Sequence, residues 1–335
     1  MKKKTKLFTL LLVICLGVLV ACSDGQGEES SGPGKEGKSK NKEDLKFVIV
    51  PKVVHPWFDE VNKGAEEQAK ILEEQLGVKV TIDYIAPSVA DVAEQNSILE
   101  SAAATRPDGI AVDVNDAEGS AQVIEEIRNQ GIEVIFFASP PPEESDISFV
   151  GNDVYEQGEI AAKRLVELLD GKGKVAIMQG VPTASSHSER YQAHKDVLEE
   201  YPEITIIEGG ISNDDIQTAQ QQAASTIAAN PDLDGYLMSD AAAPIGISAA
   251  IKEAGKEDQI IAVGIDSLKP ILEEVKSGVL ESASATIPRE QGAMSVLMLW
   301  QASLGVKIPK VIDTGIDVVT QDNVDEFLDN AEDNE

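Results

Sequence analysis

The strongest constraint on this chain is an alternation. Between Leu45 and Val319, short apolar runs rich in β-branched residues take turns with longer runs of helical period. The strand-like runs fall at 47–50, 78–85, 109–114, 132–137 and 147–150, and then at 174–178, 204–208, 235–238, 260–266 and 280–287. Helical patterns fill 61–76, 89–104, 119–130, 155–169, 188–200, 214–229, 249–254, 270–276 and 291–304, and a segment over 307–319 leads to a short acidic tail helix. Such alternation predicts parallel, doubly wound sheets. The units are too many for one open sheet of ordinary size, so two α/β lobes are expected. A single barrel of alternating units is the structural competitor.

The chain begins with a different composition. Met1 to Lys6 carries four lysines, Leu7 to Val20 is apolar, and Leu19-Val20-Ala21-Cys22 follows. A basic start, a short apolar stretch and small residues before a cysteine read as a secretory leader, too short for a comfortable membrane span. Residues 23–45 are mostly Gly, Ser, Glu and Lys, which cannot bury enough surface to fold and read as a flexible spacer. Only two cysteines exist, Cys15 and Cys22. Both lie in or beside the leader, so no disulfide framework, thiol catalysis or thiolate metal site is expected in the folded part.

Formal net charge is −31, and losing the leader's lysines makes it more negative. That excludes nucleic acid and anionic lipid surfaces as partners. Aromatic residues are only 4% of the chain, so Trp57 and Phe58, side by side after the first strand, are conspicuous. Ligands in open α/β sheets bind outside the carboxyl ends of the strands. Polar groups gather there: Lys52 and His55 after the first strand, Asp113 after the third, then Asp240, Asp266 and Thr286 after later strands, with Arg190 on a helix following a loop. Carboxylates accept hydrogen bonds from paired hydroxyls, and a guanidinium donates a fixed fork of them. With aromatic faces against an apolar ring side, these residues compose a monosaccharide site. The plainer reading of each Asp is a cap or turn residue, and of either ring, ordinary core.

Several motifs in this order carry a family resemblance. They are His55-Pro56-Trp57-Phe58, Arg106-Pro107-Asp108-Gly109-Ile110, Gly151-Asn152-Asp153, Ser188-Glu189-Arg190-Tyr191, Pro231-Asp232-Leu233-Asp234-Gly235 and Val263-Gly264-Ile265-Asp266. From about Leu45 to Val319 the chain resembles the ribose-binding branch of the type 1 periplasmic binding proteins. The resemblance implies two Rossmann-like lobes with parallel sheets, joined by three hinge crossovers, and a ligand cleft between them. The expected boundaries are 46–150 with 287–316 for the first lobe and 151–286 with 317–335 for the second. Hinges are expected near Gly151-Asn152, Ala285–Ile287 and Ile316–Val318.

The same resemblance assigns roles. His55 takes a polar hydrogen-bonding place and Trp57 and Phe58 the places of stacking aromatics. Asp113 stands where the family often has Asn, and Arg190 matches a sugar-binding arginine. Asn213 lies where a residue covers the ring from the second lobe. Asp240 and Asp266 stand at hydroxyl-binding positions, and Thr286 near the hinge where Gln is common. Where sugar binders often place an Asp-Arg pair, this chain has Ala138-Ser139 and three prolines, leaving Ser139 as the candidate contact there. Lys52, after Pro51, also resembles the branch that binds autoinducer-2, although the residues near Ser186 and His187 do not match that branch.

Leu19 to Cys22 resembles a bacterial lipobox, which implies lipidation of Cys22 at residues 1–22 of a lipoprotein leader. The resulting expectation is a lipid-anchored extracellular solute-binding protein of an ABC importer, taking up a monosaccharide or related polyhydroxylated ligand. Its partners are that ligand, a membrane permease and the membrane through the lipid; the protein is expected to be a monomer. The alternative is a sugar or autoinducer-2 sensor serving a signalling receptor. Enzyme motifs are missing: there is no nucleophile elbow, phosphate loop or dinucleotide fingerprint. No cofactor or metal is expected.

Overall fold

The structure, a computed structural model, describes residues 44–332. The expected leader, Cys22 and most of the spacer lie outside the described residues. In chain order the first half comprises β1 (Asp44–Val50), α1 (Pro56–Leu76), β2 (Lys79–Tyr84), α2 (Val92–Ala104), β3 (Gly109–Val112), α3 (Ala117–Asn129), β4 (Glu133–Phe137) and β5 (Ser148–Gly151). Then follow α4 (Val154–Leu168), β6 (Lys172–Gln179), α5 (Ser185–Glu199), β7 (Glu203–Ile211), α6 (Ile216–Ala229) and β8 (Gly235–Met238). The chain continues through α7 (Ala243–Ala254), β9 (Ile261–Ile265), α8 (Lys269–Ser277), β10 (Leu280–Ala285) and α9 (Pro288–Ser303). It closes with β11 (Val311–Asp313), β12 (Asp317–Thr320) and α10 (Val324–Glu332).

Two six-stranded sheets result, ordered β11-β5-β4-β3-β1-β2 and β12-β10-β9-β8-β6-β7. All pairings are parallel except β10 with β12. Both sheets reverse strand order beside their first strand, so each has its switch point there, and the crevice outside the strands' carboxyl ends is the ligand position of such a sheet. The chain passes between sheets three times, after β5, after β10 and between β11 and β12.

Period-2 alternation explains the layers. In the first sheet Phe47, Ile49, Ala111, Ile135 and Phe137 face the helix side of Val61, Ala65 and Leu72 of α1 and Leu299 of α9. Val48, Val50, Ile110, Val112 and Phe136 face Leu99 of α2 and Ile124 and Ile127 of α3. The second sheet repeats this, with Val175, Ile177, Leu237 and Val263 packed against Ala161, Leu165, Val197 and Leu198 of α4 and α5. Both faces of each sheet are covered, as parallel strands require.

Several boundaries differ from the sequence reading. Asp44 and Leu45, read as spacer, already belong to β1, and Leu45 pairs with Val80 in register. Helix α1 begins at Pro56 rather than Val61. Proline at the first helical position loses only an N–H that has no intrahelical partner, and the His55 ring caps the turn by accepting from Trp57 N. Pro244 and Pro288 likewise sit in the first turns of α7 and α9, so both helices start earlier than expected. The 307–319 stretch is two short strands, one in each sheet.

Candidate functional site

Most expected residues follow a strand; Arg190 instead lies in α5. After β1, the backbone carbonyls of Pro51 and Lys52 are tied down. Gln95 Nε2 donates to Pro51 O at 2.9 Å and to Asp113 O at 2.8 Å, and Asn115 Nδ2 donates to Lys52 O at 2.9 Å. This brace presents Lys52 and Asp113 together. Lys52 Nζ lies 3.1 Å from Asp113 Oδ2, and both side chains are buried. The ammonium also sits 5.7 Å from the centroid of the Phe58 ring, within cation–π range. Burial pushes the Asp113 carboxyl up, opposed first by the charge of Lys52.

Trp57 and Phe58 lie in the first turn of α1, edge to face with ring centroids 5.0 Å apart, and Phe58 continues edge to face onto Phe137 at 6.2 Å. The indole is held at its polar end: Nε1 donates to Thr286 Oγ1 at 2.9 Å and Asp266 Oδ1 at 3.2 Å. Thr286 Oγ1 itself donates to Asp266 Oδ1. These bonds link the first sheet's α1 to the exits of β9 and β10 in the second.

In the second lobe Arg190 is fixed through its own donors. Nε donates to Gln157 Oε1 at 2.8 Å and Nη1 to Ser239 O at 3.0 Å. Gln157 Oε1 also accepts from Asn152 Nδ2 at 3.2 Å, and Gln157 Nε2 donates to Ser284 O at 2.8 Å. The arginine is thereby tied to two of the three interlobe passages. Glycine at 158 permits this, because a Cβ there would sit 2.7 Å from Arg190 O. Burial holds the guanidinium below the ordinary arginine value, against the pull of Asp266 and Asp113.

Lys52, His55, Trp57, Phe58, Arg190 and Asp266 converge on one cavity of about 20 Å³, room for roughly one water. A monosaccharide is larger than that, so it enters only as the two walls part. The remaining expected residues fall differently. Asp113 stands behind Lys52, and Thr286 behind Asp266 and Trp57. Ser139 Oγ is bonded to Ser186 Oγ across the cleft at 2.8 Å. Asp240 is fully buried with its carboxylate already occupied: Ser212 Oγ donates to Oδ2 at 2.7 Å, and the Ala242 and Ala243 N–H groups donate to Oδ1 at 2.9 and 3.0 Å. It shapes the wall rather than facing the cavity. Asn213, expected to cover the ring, is exposed. Asn213 and Asp214 take left-handed φ values of 52° and 61°, and Asp215 rather than Asp214 caps α6, accepting from Thr218 N at 2.7 Å. The turn points Asn213 outward and brings Asp214 to the cavity.

Three polar cavity residues were therefore missed: Ser186, His187 and Asp214. The signal for the first two was the helix start. The sequence reading opened this helix at 188; α5 opens at Ser185, placing Ser186 and His187 in its first turn. Lys52 Nζ donates to Ser186 Oγ at 3.2 Å and lies 3.1 Å from His187 Nε2. Thr183 Oγ1 and Ser185 Oγ reach across to Asn115 O and Pro140 O, each at 2.8 Å. Left-handed backbone concentrates here. Ala138, Asn213, Asp214 and Asp266, four of the six non-glycine residues with positive φ among those described, lie at strand exits around the cleft. Burial pushes Asp214 and Asp240 each up to about 6, and proximity to Asp214 adds to the shift of Asp240. Burial lowers His55 and holds His187 well below the usual histidine range.

The arrangement offers two edge-to-face rings, carboxylates and fixed donors, with no group of His, Cys, Asp or Glu among the described residues that could hold a metal ion. Comparisons agree with a binding role. Residues 47–307 match the family model described as periplasmic binding protein domain. The ribose import binding protein of Bacillus subtilis is 23% identical over 317 residues, spanning 94% of this chain and 99% of that protein. A solute-binding protein of an ABC transporter from Burkholderia graminis, solved with D-arabinose, is 26% identical with a TM-score of 0.78, covering 85% of this chain and 97% of its own. A glucose-galactose binding protein from Geobacillus stearothermophilus is 28% identical with a TM-score of 0.77, covering 84% and 99%. These relatives are solute-binding proteins rather than enzymes. The chain belongs to the periplasmic binding protein family, in its type 1 simple-sugar branch.

Proposed function

We propose that this protein is the extracellular solute-binding component of an ABC importer, anchored by a lipid on Cys22, and that it captures a monosaccharide or similar polyhydroxylated ligand between its lobes. The observation that carries the reading is the convergence of Trp57 and Phe58 from one lobe with Arg190 and Asp266 from the other on a single cavity. Ligand favours the closed arrangement because only there do both walls touch it. The closed form is then what a membrane permease receives. Flexing is expected where the chain passes between sheets, near Gly151-Asn152, Ala285–Ile287 and Ile316–Val318. Among the described residues no helix is long and apolar enough to cross a membrane.

The test is a thermal-shift and calorimetric panel of D-ribose, D-allose, D-arabinose, D-xylose, D-galactose, xylitol and autoinducer-2. At least one neutral sugar or polyol is expected to bind saturably at one site; a panel without any shift overturns the reading. Autoinducer-2 is the alternative ligand that the resemblance at Lys52 suggests, and the same panel separates it. For the anchor, Cys22→Ser is expected to release the protein from membranes into the soluble fraction, and unchanged membrane retention overturns that part.

A further inference from the structure

Both ring nitrogens of His187 face donors. Val181 N–H donates to Nδ1 at 2.7 Å, while the Lys52 ammonium stands 3.1 Å from Nε2. A neutral imidazole has one acceptor nitrogen, and an imidazolium has none. The backbone N–H is fixed and its contact is the shorter, so Nδ1 is the acceptor and Nε2 carries the proton. Turning the ring over would set Cδ2–H against the Val181 N–H and leave that buried donor without its acceptor. Nε2–H and the Lys52 ammonium therefore confront each other as two buried donors with no acceptor between them. Asp214 Oδ2 is 4.0 Å from Nε2, beyond hydrogen-bond reach, and Asp214 Oδ1 is buried without a partner. Unmade bonds of this kind are costly in a protein interior. All three side chains line the same cavity.

We propose that Lys52, His187 and Asp214 form a subsite for one hydroxyl group of an uncharged polyhydroxylated ligand. The hydroxyl oxygen accepts from Lys52 Nζ and from His187 Nε2, and its own O–H donates to Asp214. Among ligand groups a hydroxyl satisfies all three, as a water does before the ligand displaces it. An ether or carbonyl oxygen leaves Asp214 unpaired. An ammonium opposes two donors with more donors. A carboxylate brings no proton to Asp214 and sets a second negative charge beside it. This rests on the sugar-binding reading above and deepens it by naming the residues and the group they select.

Two substitutions split the roles of the ring. In His187→Asn the side-chain oxygen takes the place of Nδ1 and keeps the Val181 bond, while the Nε2 donor is lost. In His187→Gln the terminal amide restores a donor near Nε2. Binding is measured by calorimetry with the neutral panel above, plus D-glucosamine and D-glucuronate as charged probes. Long-range proton–nitrogen NMR reads the His187 tautomer in the unmodified protein. The expected results are an Nε2–H tautomer and an affinity loss of about tenfold to a hundredfold in His187→Asn, with partial recovery in His187→Gln. The melting temperature of His187→Asn stays within a few degrees, and neither charged probe outbinds the neutral sugars. An Nδ1–H tautomer, unchanged affinity in His187→Asn, or tighter binding of a charged probe overturns the subsite while leaving sugar binding intact. Failure of the unmodified protein to bind any neutral panel member overturns both.

Discussion

The two ends of the cleft are built on opposite hydrogen-bonding terms. At one end Trp57 Nε1, Thr286 Oγ1 and Asp266 Oδ1 complete one another across the lobes, donor to acceptor throughout. At the other end Lys52 and His187 meet donor to donor, and Asp214 keeps an unpartnered oxygen. The first end needs no ligand to be satisfied and acts as a closing contact. The second end is satisfied only by something inserted between its members. A protein built to close on a solute needs both kinds: one that rewards approach of the lobes, and one that a ligand hydroxyl completes by displacing water.

The largest test of this contrast is at Lys52. Lys52→Met removes one partner of a buried ion pair and leaves Asp113 uncompensated, which costs about 3–5 kcal/mol. Urea unfolding should show that loss, and adding Asp113→Asn should recover much of the stability without restoring ligand affinity. If the double variant regains full affinity, Lys52 is structural and the contrast fails.

At the satisfied end, Trp57→Phe keeps an aromatic face while deleting the Nε1–H bonds, leaving Asp266 and Thr286 short of a donor. A loss of about 1–3 kcal/mol in stability is expected, together with weaker ligand-induced stabilisation. Equal melting curves with and without the indole N–H would show that the closing contact is idle.

Packing behind each ligand-facing side chain gives a finer probe. Gly180→Ala drives a methyl group into the His187 ring and to 2.8 Å from Asp240 Cβ, whereas Gly158→Ala presses on the backbone of Arg190. Overpacking of this kind costs roughly 1–3 kcal/mol. Affinity should fall in both variants. In Gly180→Ala the loss should depend on the ligand hydroxyl that His187 holds, which a series of deoxy sugars reads out.

Acid separates the groups by sign. His55, His187 and His194 are buried with lowered pKa values, His194 down to about 3. Each protonates more readily unfolded, so each contributes stability that is full above about pH 6.5 and declines below it, by at most about 1.4 kcal/mol per pH unit. Asp214 and Asp240, raised to about 6, act oppositely: their penalty is full above pH 6 and fades toward 3.8. Stability should therefore decline as pH falls below about 6.5, with Asp214 and Asp240 offsetting part of the loss between pH 6 and 3.8. His194 is buried with neither ring nitrogen bonded, so His194→Leu should flatten that decline in urea midpoints measured across pH.

The smallest effect is expected at Asn213. Asn213→Gly keeps the left-handed turn and touches no cavity atom, so stability should change by less than about 0.5 kcal/mol and affinity not at all. A large affinity loss would restore the ring-covering role that the sequence resemblance assigned to it.

What the sequence by itself determined is the part set by local pattern. Period-2 apolar runs between helical runs specified two parallel α/β lobes; of the residues picked at strand exits, Lys52, His55, Trp57, Phe58 and Asp266 line one cavity, joined by Arg190 of α5, whereas Asp113, Asp240 and Thr286 stand behind it. The tertiary structure decided what pattern does not encode. Whether Asn213 or Asp214 turns inward depends on two consecutive left-handed residues. Ser186 and His187 join the site because α5 starts three residues earlier than its periodicity suggests, and Asp240 leaves it because Ser212 and two backbone N–H groups claim its oxygens. Periodicity reports which face of an element is buried. Which buried polar group finds its partner within the chain, and which is left waiting, depends on contacts between residues far apart in sequence.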